Sequence, residues 1–287
     1  MTLPNFIIIG AYKSGTTSLH RYLQQHPDIF MSRVKEPNFF SREKQMNLMR
    51  RSGREPRVVD NMESYLELFS DVRDEKAIGE ASPSYLGDPL AAKRIKETIP
   101  DVKLIAILRH PVDAFYSDHN MRIRDRRKLE SDFRGRFKDL ENRIQSGQTA
   151  GPMYHAQLKS YYDIFDSSKI KVYLHEDYMK NNKAVLQDIF KFLEVDEEFF
   201  PDTTEMHNVG GIPRFHKLNA LLKYLLKKQK IKSIPVLKNV LLNLQRANTF
   251  KIPTIPLKLR SEFTGIFRED INNLEKLIGR DLQSWLN

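Results

Sequence analysis

Residues 5–19 read NFIIIGAYKSGTTSL. Four apolar residues, Phe6 to Ile9, run into a loop bracketed by Gly10 and Gly15, and Thr16, Thr17 and Ser18 follow. An apolar run of this kind suits a strand buried on both faces. The glycines keep the four-residue spacing of a phosphate-binding loop between a strand and a helix. The lysine, however, is misplaced. Thr16 stands where a Walker loop carries Lys, and Lys13 sits inside the loop. Backbone N–H groups of the loop and of the helix N-terminus can still cradle an anion. Thr16, Thr17 and Ser18 offer hydroxyls, Lys13 adds a cation, and Ser14 and Gly15 are counted with them as binding residues of the loop.

Similar apolar runs recur at residues 28–32, 76–80, 103–108 and 170–175. Helical periodicity fills the gaps. Leu19, Tyr22 and Leu23 share a face, as do Tyr65, Leu66 and Phe69. Leu158, Tyr161, Tyr162 and Phe165 form another stripe, and Val185, Ile189, Phe192 and Leu193 another. Phe263, Ile266, Phe267, Ile271, Leu274 and Ile278 form the last. Strand alternating with helix predicts an α/β fold, P-loop-like, with a three-layer α/β/α sandwich around a mostly parallel sheet. Ligands in that architecture gather at the carboxyl ends of the strands. Residues 1–287 read as a single domain. Residues 42–61 form a polar excursion, and residues 213–256 a basic, Leu-rich insertion or flap punctuated by proline.

The chain has 287 residues, 40% of them hydrophobic, an ordinary globular composition. It has no Cys, which excludes disulfides, thiolate zinc sites and a Cys nucleophile. A formal net charge of +10 favours anionic partners. No apolar run reaches the roughly 18 residues of a membrane span, and the short apolar stretch near the N-terminus does not read as a signal peptide. The expected location is the cytoplasm.

A Walker-type enzyme also needs an acidic residue at the end of a second apolar strand to help hold magnesium. Here KLIAIL ends in Arg109-His110-Pro111. A cation there repels a metal and attracts a second anion. Residues 13–18 and Arg109 therefore read as two anion sites with no metal site.

The pair of sites resembles the sulfotransferase family, whose co-substrate is 3′-phosphoadenosine 5′-phosphosulfate (PAPS). In that family a KxGTT loop holds the 5′-phosphosulfate, matched here by Lys13, Gly15, Thr16 and Thr17. An Arg followed eight residues later by Ser holds the 3′-phosphate, matched by Arg109 and Ser117 in LRHPVDAFYSDH. The likeness spans roughly residues 5–215. It includes residues 170–196, which resemble the closing scaffold segment of bacterial relatives.

Residues 35–40, KEPNFF, resemble the KExxFF segment of the carbohydrate branch, which includes the heparan sulfate enzymes. The resemblance makes Glu36 the general base. Burial beside Phe39 and Phe40 is expected to make it a better one. Asn38 stands where heparan enzymes often carry His, as a substrate-binding residue. Residues 79–86, GEASPSYL, match that branch's EKxPxYF segment with Ala81 in place of its Lys. This leaves Lys13 as the main electrostatic catalyst and places Glu80, Ser82 and Tyr85 near the donor or acceptor cleft. The aryl and steroid branch uses a His base, but His20, His26, His110 and His119 read as structural. In HNVGGIPRFHKL, Asn208, Gly210, Gly211 and Arg214 match a loop that relatives fold over the 3′-phosphate and adenine.

Two basic segments remain. MRIRDRRK places Arg122, Arg124, Arg126, Arg127 and Lys128 together. Residues 217–232 combine Leu218, Leu221, Leu222, Leu225 and Leu226 with many Lys. The plain reading is a solvated basic face and a core-packed helix; the sharper one is a lid, or a surface for an acidic glycan or an anionic membrane. The acceptor implied is a hydroxyl of a sugar, glycolipid or other small molecule. A P-loop kinase or NTPase is the rival reading, opposed by Thr16 and Arg109. A nucleic-acid-binding module is a weaker one, since no signature of that class is present.

Overall fold

In the computed structural model, residues 2–41, 43, 59–124, 132–203, 211–227, 235–251 and 254–286 are described. β1 (Phe6–Gly10) is the middle of a five-stranded parallel sheet. It is joined by β2 (Ile29–Met31), β3 (Ala77–Ala81), β4 (Lys103–Leu108) and β5 (Ile170–Leu174), in the order β2-β3-β1-β4-β5. Every apolar run read as a strand is one, with no end moved by more than one residue. The carboxyl ends of β3, β1 and β4 lie side by side, bringing Ala81, Gly10 and Leu108 to one edge of the sheet.

α1 (Thr16–Leu23) links β1 to β2. α2 (Met62–Glu67) precedes β3, and α3 (Ala91–Thr98) links β3 to β4. α4 (Pro111–Arg124), α5 (Phe133–Gln145) and α6 (Tyr154–Tyr162) lie between β4 and β5. α7 (His175–Lys180) and α8 (Asn182–Leu193) follow β5.

Alternation along the strands builds the three layers. Ile7, Ile9, Leu104 and Ala106 join one buried cluster with Ala91 and Ile95 of α3 and Leu158 and Tyr161 of α6. Phe6, Ile8, Ile105 and Ile107 join the other, with Leu19 and Leu23 of α1 and Ile189 and Phe190 of α8. Each β1 side chain so buried contributes about 1.5–3 kcal/mol. Phe192, expected in the α8 stripe, is only partly buried, and Phe190 fills that place. Gly79 is needed where the Phe6 ring crosses β3: a Cβ there would sit 2.2 Å from the ring.

The 213–256 insertion is mainly helical. α9 (His216–Lys227) and α10 (Pro235–Ala247) pack on each other. β6 (Gly211–Pro213) and β7 (Thr249–Lys251) pair antiparallel at their base, a ladder the sequence reading missed. The Asn248 side chain accepts from Phe215 N at 3.0 Å and donates to Phe215 O at 3.0 Å, stitching the two ends together. β6 packs against α4, which carries Ser117. The chain closes with α11 (Leu257–Thr264), α12 (Arg268–Ile278) and α13 (Gln283–Leu286), whose Phe263, Leu274 and Trp285 seal the first cluster. No helix among the described residues is long and apolar enough to cross a membrane. Most of the polar excursion, and Arg126, Arg127, Lys128, Asn208 and Gly210, lie outside the described residues.

Candidate active site

The loop leaves β1 and hydrogen-bonds β4 at once, with Ala11 N donating to Ile107 O at 2.8 Å. Lys13 takes φ 64° and Gly15 φ 95°. Gly15 then caps α1 without any side-chain cap, and the first turn carries no acidic residue. The first N–H groups of α1 therefore have no side chain answering them from the cap position, and their dipole favours an anion. His175 and Tyr178 of α7 lie against Gly15; a Cβ there would meet both at 3.5 Å. Arg109 Nη1 donates to Lys13 O at 3.3 Å, so the cation at the end of β4 also fastens the loop.

Thr16 is buried, and Thr17 and Ser18 are half-buried at the start of α1. Ser14 is 0% exposed, and its hydroxyl donates to Tyr12 O at 3.4 Å. The fully buried Tyr154 lies beside Ser14 and the Arg109 backbone, and burial raises its phenol well above the usual range.

Lys13 Nζ reaches α4, 3.5 Å from Met121 Sδ. Ser117 lies four residues earlier on α4, hence on the same face. Lys13, Ser117 and the Gly211 strand thus meet around one helix. Arg214 is exposed, with its guanidinium 4.5 Å from the Phe250 ring centre.

Beside this lies the carboxylate side of the site. Glu36 pairs with Lys35, and its side chain is 40% exposed. The expected burial of Glu36 beside Phe39 and Phe40 is not what the chain does. Phe39 stacks on Tyr65 at 4.5 Å, and Phe40 packs edge-on to Tyr65 and Tyr85. Glu36 N donates to Ala81 O at 3.0 Å, which fastens the segment to the end of β3. Glu36 (φ 63°) and Asn38 (φ 56°) both hold left-handed backbone. With Lys13 they are three of the four described non-glycine residues in that region, a concentration of strain typical of functional sites.

The buried carboxylate is Glu80. It accepts hydroxyl hydrogen bonds from Ser82 at 2.6 Å, Tyr85 at 2.6 Å and Tyr65 at 3.1 Å. Ser82 Oγ in turn accepts from Asn38 N at 3.1 Å, and Asn38 Oδ1 accepts from Ser84 at 2.6 Å. Glu80, Ser82 and Tyr85 are all 0% exposed. Their side chains answer one another and brace residues 36–41 from beneath. Asn38, 7% exposed, belongs to the same network. Tyr65 and Ser84 are members the sequence reading missed. Only the alternation of β3, which puts Glu80 on the face of Ile78, hinted that the carboxylate points into a layer.

Burial pushes the Glu80 carboxyl up to about 7, against the pull of its three hydroxyl donors, with Glu36 adding a smaller upward push. The folded value lies above the unfolded one of 4.5, so folding favours the protonated form. That stabilisation is complete below about pH 4.5 and is lost as pH rises through about 7. Replacing Glu80 with Gln removes the titration. The parent should lose about 3 kcal/mol relative to Glu80→Gln between pH 4.5 and pH 7.5, read by urea denaturation. A difference that does not change with pH would rule out a titrating Glu80.

The four histidines weighed as bases are held in the core. His26 Nε2 meets Asp196 O at 2.9 Å and its Nδ1 accepts from Asp28 N. His110 Nε2 meets Trp285 O at 2.9 Å. Burial lowers His20 and His110 to about 4 and also lowers His119. His175, which the sequence reading did not single out, stands beside Gly15. Burial, then Arg109, lowers it to about 4, so it is a neutral imidazole at the anion loop. Its position at the carboxyl end of β5 was the available signal.

Fold and site together define a P-loop-like α/β protein with paired cations for an anionic ligand. A sequence profile described as "Sulfotransferase family" matches residues 4–200. This chain belongs to the sulfotransferase family. It is 32% identical to a sulfotransferase from Alicyclobacillus acidocaldarius of known crystal structure, with a TM-score of 0.72 and both chains fully covered. It is 37% identical over 123 residues to the membrane-associated sulfotransferase kil1 of Dictyostelium discoideum, covering 43% of this chain and 24% of that protein. It is 26% identical over 250 residues to human carbohydrate sulfotransferase 15, covering 67% of this chain and 44% of that protein. The chain thus spans less than half the length of these two curated relatives.

Proposed function

We propose that this chain transfers the sulfuryl group of PAPS to an acceptor hydroxyl. The observation that carries the reading is the uncapped N-terminus of α1, flanked by Lys13 and by Arg109, the latter fastened to the loop. A magnesium-dependent kinase needs an acidic residue where Arg109 stands.

Residues 13–18 hold the 5′-phosphosulfate. The backbone at Ser14 and Gly15 and the hydroxyls of Thr16, Thr17 and Ser18 donate to it. Arg109 and Ser117 hold the 3′-phosphate, and Gly211 and Arg214 close over it from β6. Glu36 takes the proton of the acceptor hydroxyl, whose oxygen forms a bond to sulfur in line with the breaking bond from sulfur to phosphate oxygen. Lys13 stabilises the charge that gathers on that leaving oxygen. Asn38, Ser82, Tyr85 and Glu80 position Glu36 from beneath. Products are a sulfate ester and adenosine 3′,5′-bisphosphate.

A carbohydrate or glycolipid hydroxyl is the acceptor class. The KEPNFF segment and the similarity to a carbohydrate sulfotransferase support it. Residues 1–287 act as one sulfotransferase domain, with 213–256 as its flap. The reaction is placed in the cytoplasm; cell fractionation that finds the protein in another compartment would reject this.

The direct test is thermal unfolding with adenosine 3′,5′-bisphosphate, beside 5′-AMP and ATP with magnesium. Bisphosphate at about 100 times its Kd should add about 2.7 kcal/mol of stability, with far smaller shifts from the others. A shift with ATP and magnesium alone would restore the kinase reading.

A further inference from the structure

The helical insertion departs from the rest of the surface in two ways. Residues 213–256 contain ten Lys and Arg and no Asp or Glu, which equals the whole net charge of +10. The remainder of the chain is therefore formally neutral. The same segment exposes large apolar side chains. Phe215 is 67% exposed, Leu221 53%, Leu244 51% and Val240 48%, with Leu218 and Leu237 near two-fifths. α9 and α10 each bury one leucine, Leu222 and Leu241, and leave other leucines in water. A folded chain seldom leaves so much apolar surface together without a partner for it.

We infer that the α9–α10 hairpin docks this protein on an anionic lipid surface, with the exposed Leu, Val and Phe side chains entering the headgroup boundary and the Lys and Arg of the same segment meeting lipid phosphates. Charge and apolarity together select this occupant. A second copy of the hairpin would bring the same excess of positive charge against itself. A soluble acidic glycan would match the charge but gives the leucines nothing to bury against. An interfacial helix of this composition binds by apolar burial together with attraction to anionic lipid. β6, at the base of the hairpin, packs against α4, so a docked hairpin brings Ser117 and the Lys13 loop close to the bilayer. The docking surface does not depend on the sulfotransferase reading, and its test does not involve turnover.

The experiment is co-sedimentation of the full chain with vesicles of phosphatidylcholine, with and without about one-third phosphatidylglycerol. Binding is expected to the anionic vesicles only and to weaken when salt rises from about 0.1 M to about 0.5 M. The double variant Leu221→Glu with Leu244→Glu should bind about tenfold or more weakly while keeping the parent's melting temperature, since both side chains are exposed. Three outcomes would overturn the proposal. The parent could stay in the supernatant with anionic vesicles. The variant could sediment as well as the parent, which would make the binding electrostatic alone and remove the exposed apolar side chains from it. Or the parent could be a dimer in lipid-free sedimentation that the variant abolishes, which would make the hairpin a contact between copies.

Discussion

Glu36→Gln should lower kcat by about 100- to 10,000-fold while leaving the melting-temperature shift with adenosine 3′,5′-bisphosphate unchanged. The amide has nearly the shape of the carboxylate but cannot take a proton. An acceptor hydroxyl that keeps its proton is a poor nucleophile at sulfur. Glu36 is suited to the task by its placement. It is part-exposed, so an acceptor can reach it, and its N–H is fastened to β3 through Ala81 O. Its left-handed backbone is held by the Asn38–Ser82–Glu80 chain beneath. It is ion-paired with Lys35, and an acceptor must displace or share that pair. The measurement is steady-state turnover with saturating PAPS. Parent-like kcat in the Gln variant would remove Glu36 from the proton-transfer step and return the search to the neighbouring groups, His175 first.

Lys13→Ala should cost about 100- to 1,000-fold in kcat, or roughly 3–4 kcal/mol of barrier, and should also weaken adenosine 3′,5′-bisphosphate binding. The ammonium reaches from the loop to α4, ending beside Met121 and on the face of Ser117. In the proposed function Lys13 both binds the 5′-phosphosulfate and meets the leaving-group charge, so its removal touches donor binding and chemistry. The backbone calls for a second variant. Lys13 has φ 64°, a strained value for alanine as well as lysine. Lys13→Gly relieves that strain and should be at least as stable as the parent, yet equally slow. If Lys13→Gly kept parent turnover, the loop would be working through its N–H groups alone.

The loop and the sheet were legible because their signals are local. A buried strand, two glycines at fixed spacing and a helix start are all contained in residues 6–23, and neighbouring residues decide each of them. The same holds for β4 and the Arg109 that ends it. Strand order was not local, yet continuous apolar runs already required burial on both faces and hence helices above and below.

What sequence reading missed concerns which side chains meet after folding. Glu36 and Glu80 are both carboxylates a few residues ahead of an aromatic, Phe39 and Tyr85. Only the packing of β3 against Phe40, Tyr65 and Tyr85 makes Glu80 the dry one and leaves Glu36 open to water. Ser14 is fully buried although its loop is polar in sequence. His175 reaches Gly15 across four strands' worth of chain. The sequence by itself determined the phosphate loop, the parallel sheet and the cations at the strand ends, because each follows from residues a few positions apart. Only the tertiary structure decided which carboxylate is buried and what braces the site. It also decided which leucines of the basic hairpin stay in water. Burial is a property of contacts between distant segments, and no window of sequence contains both partners.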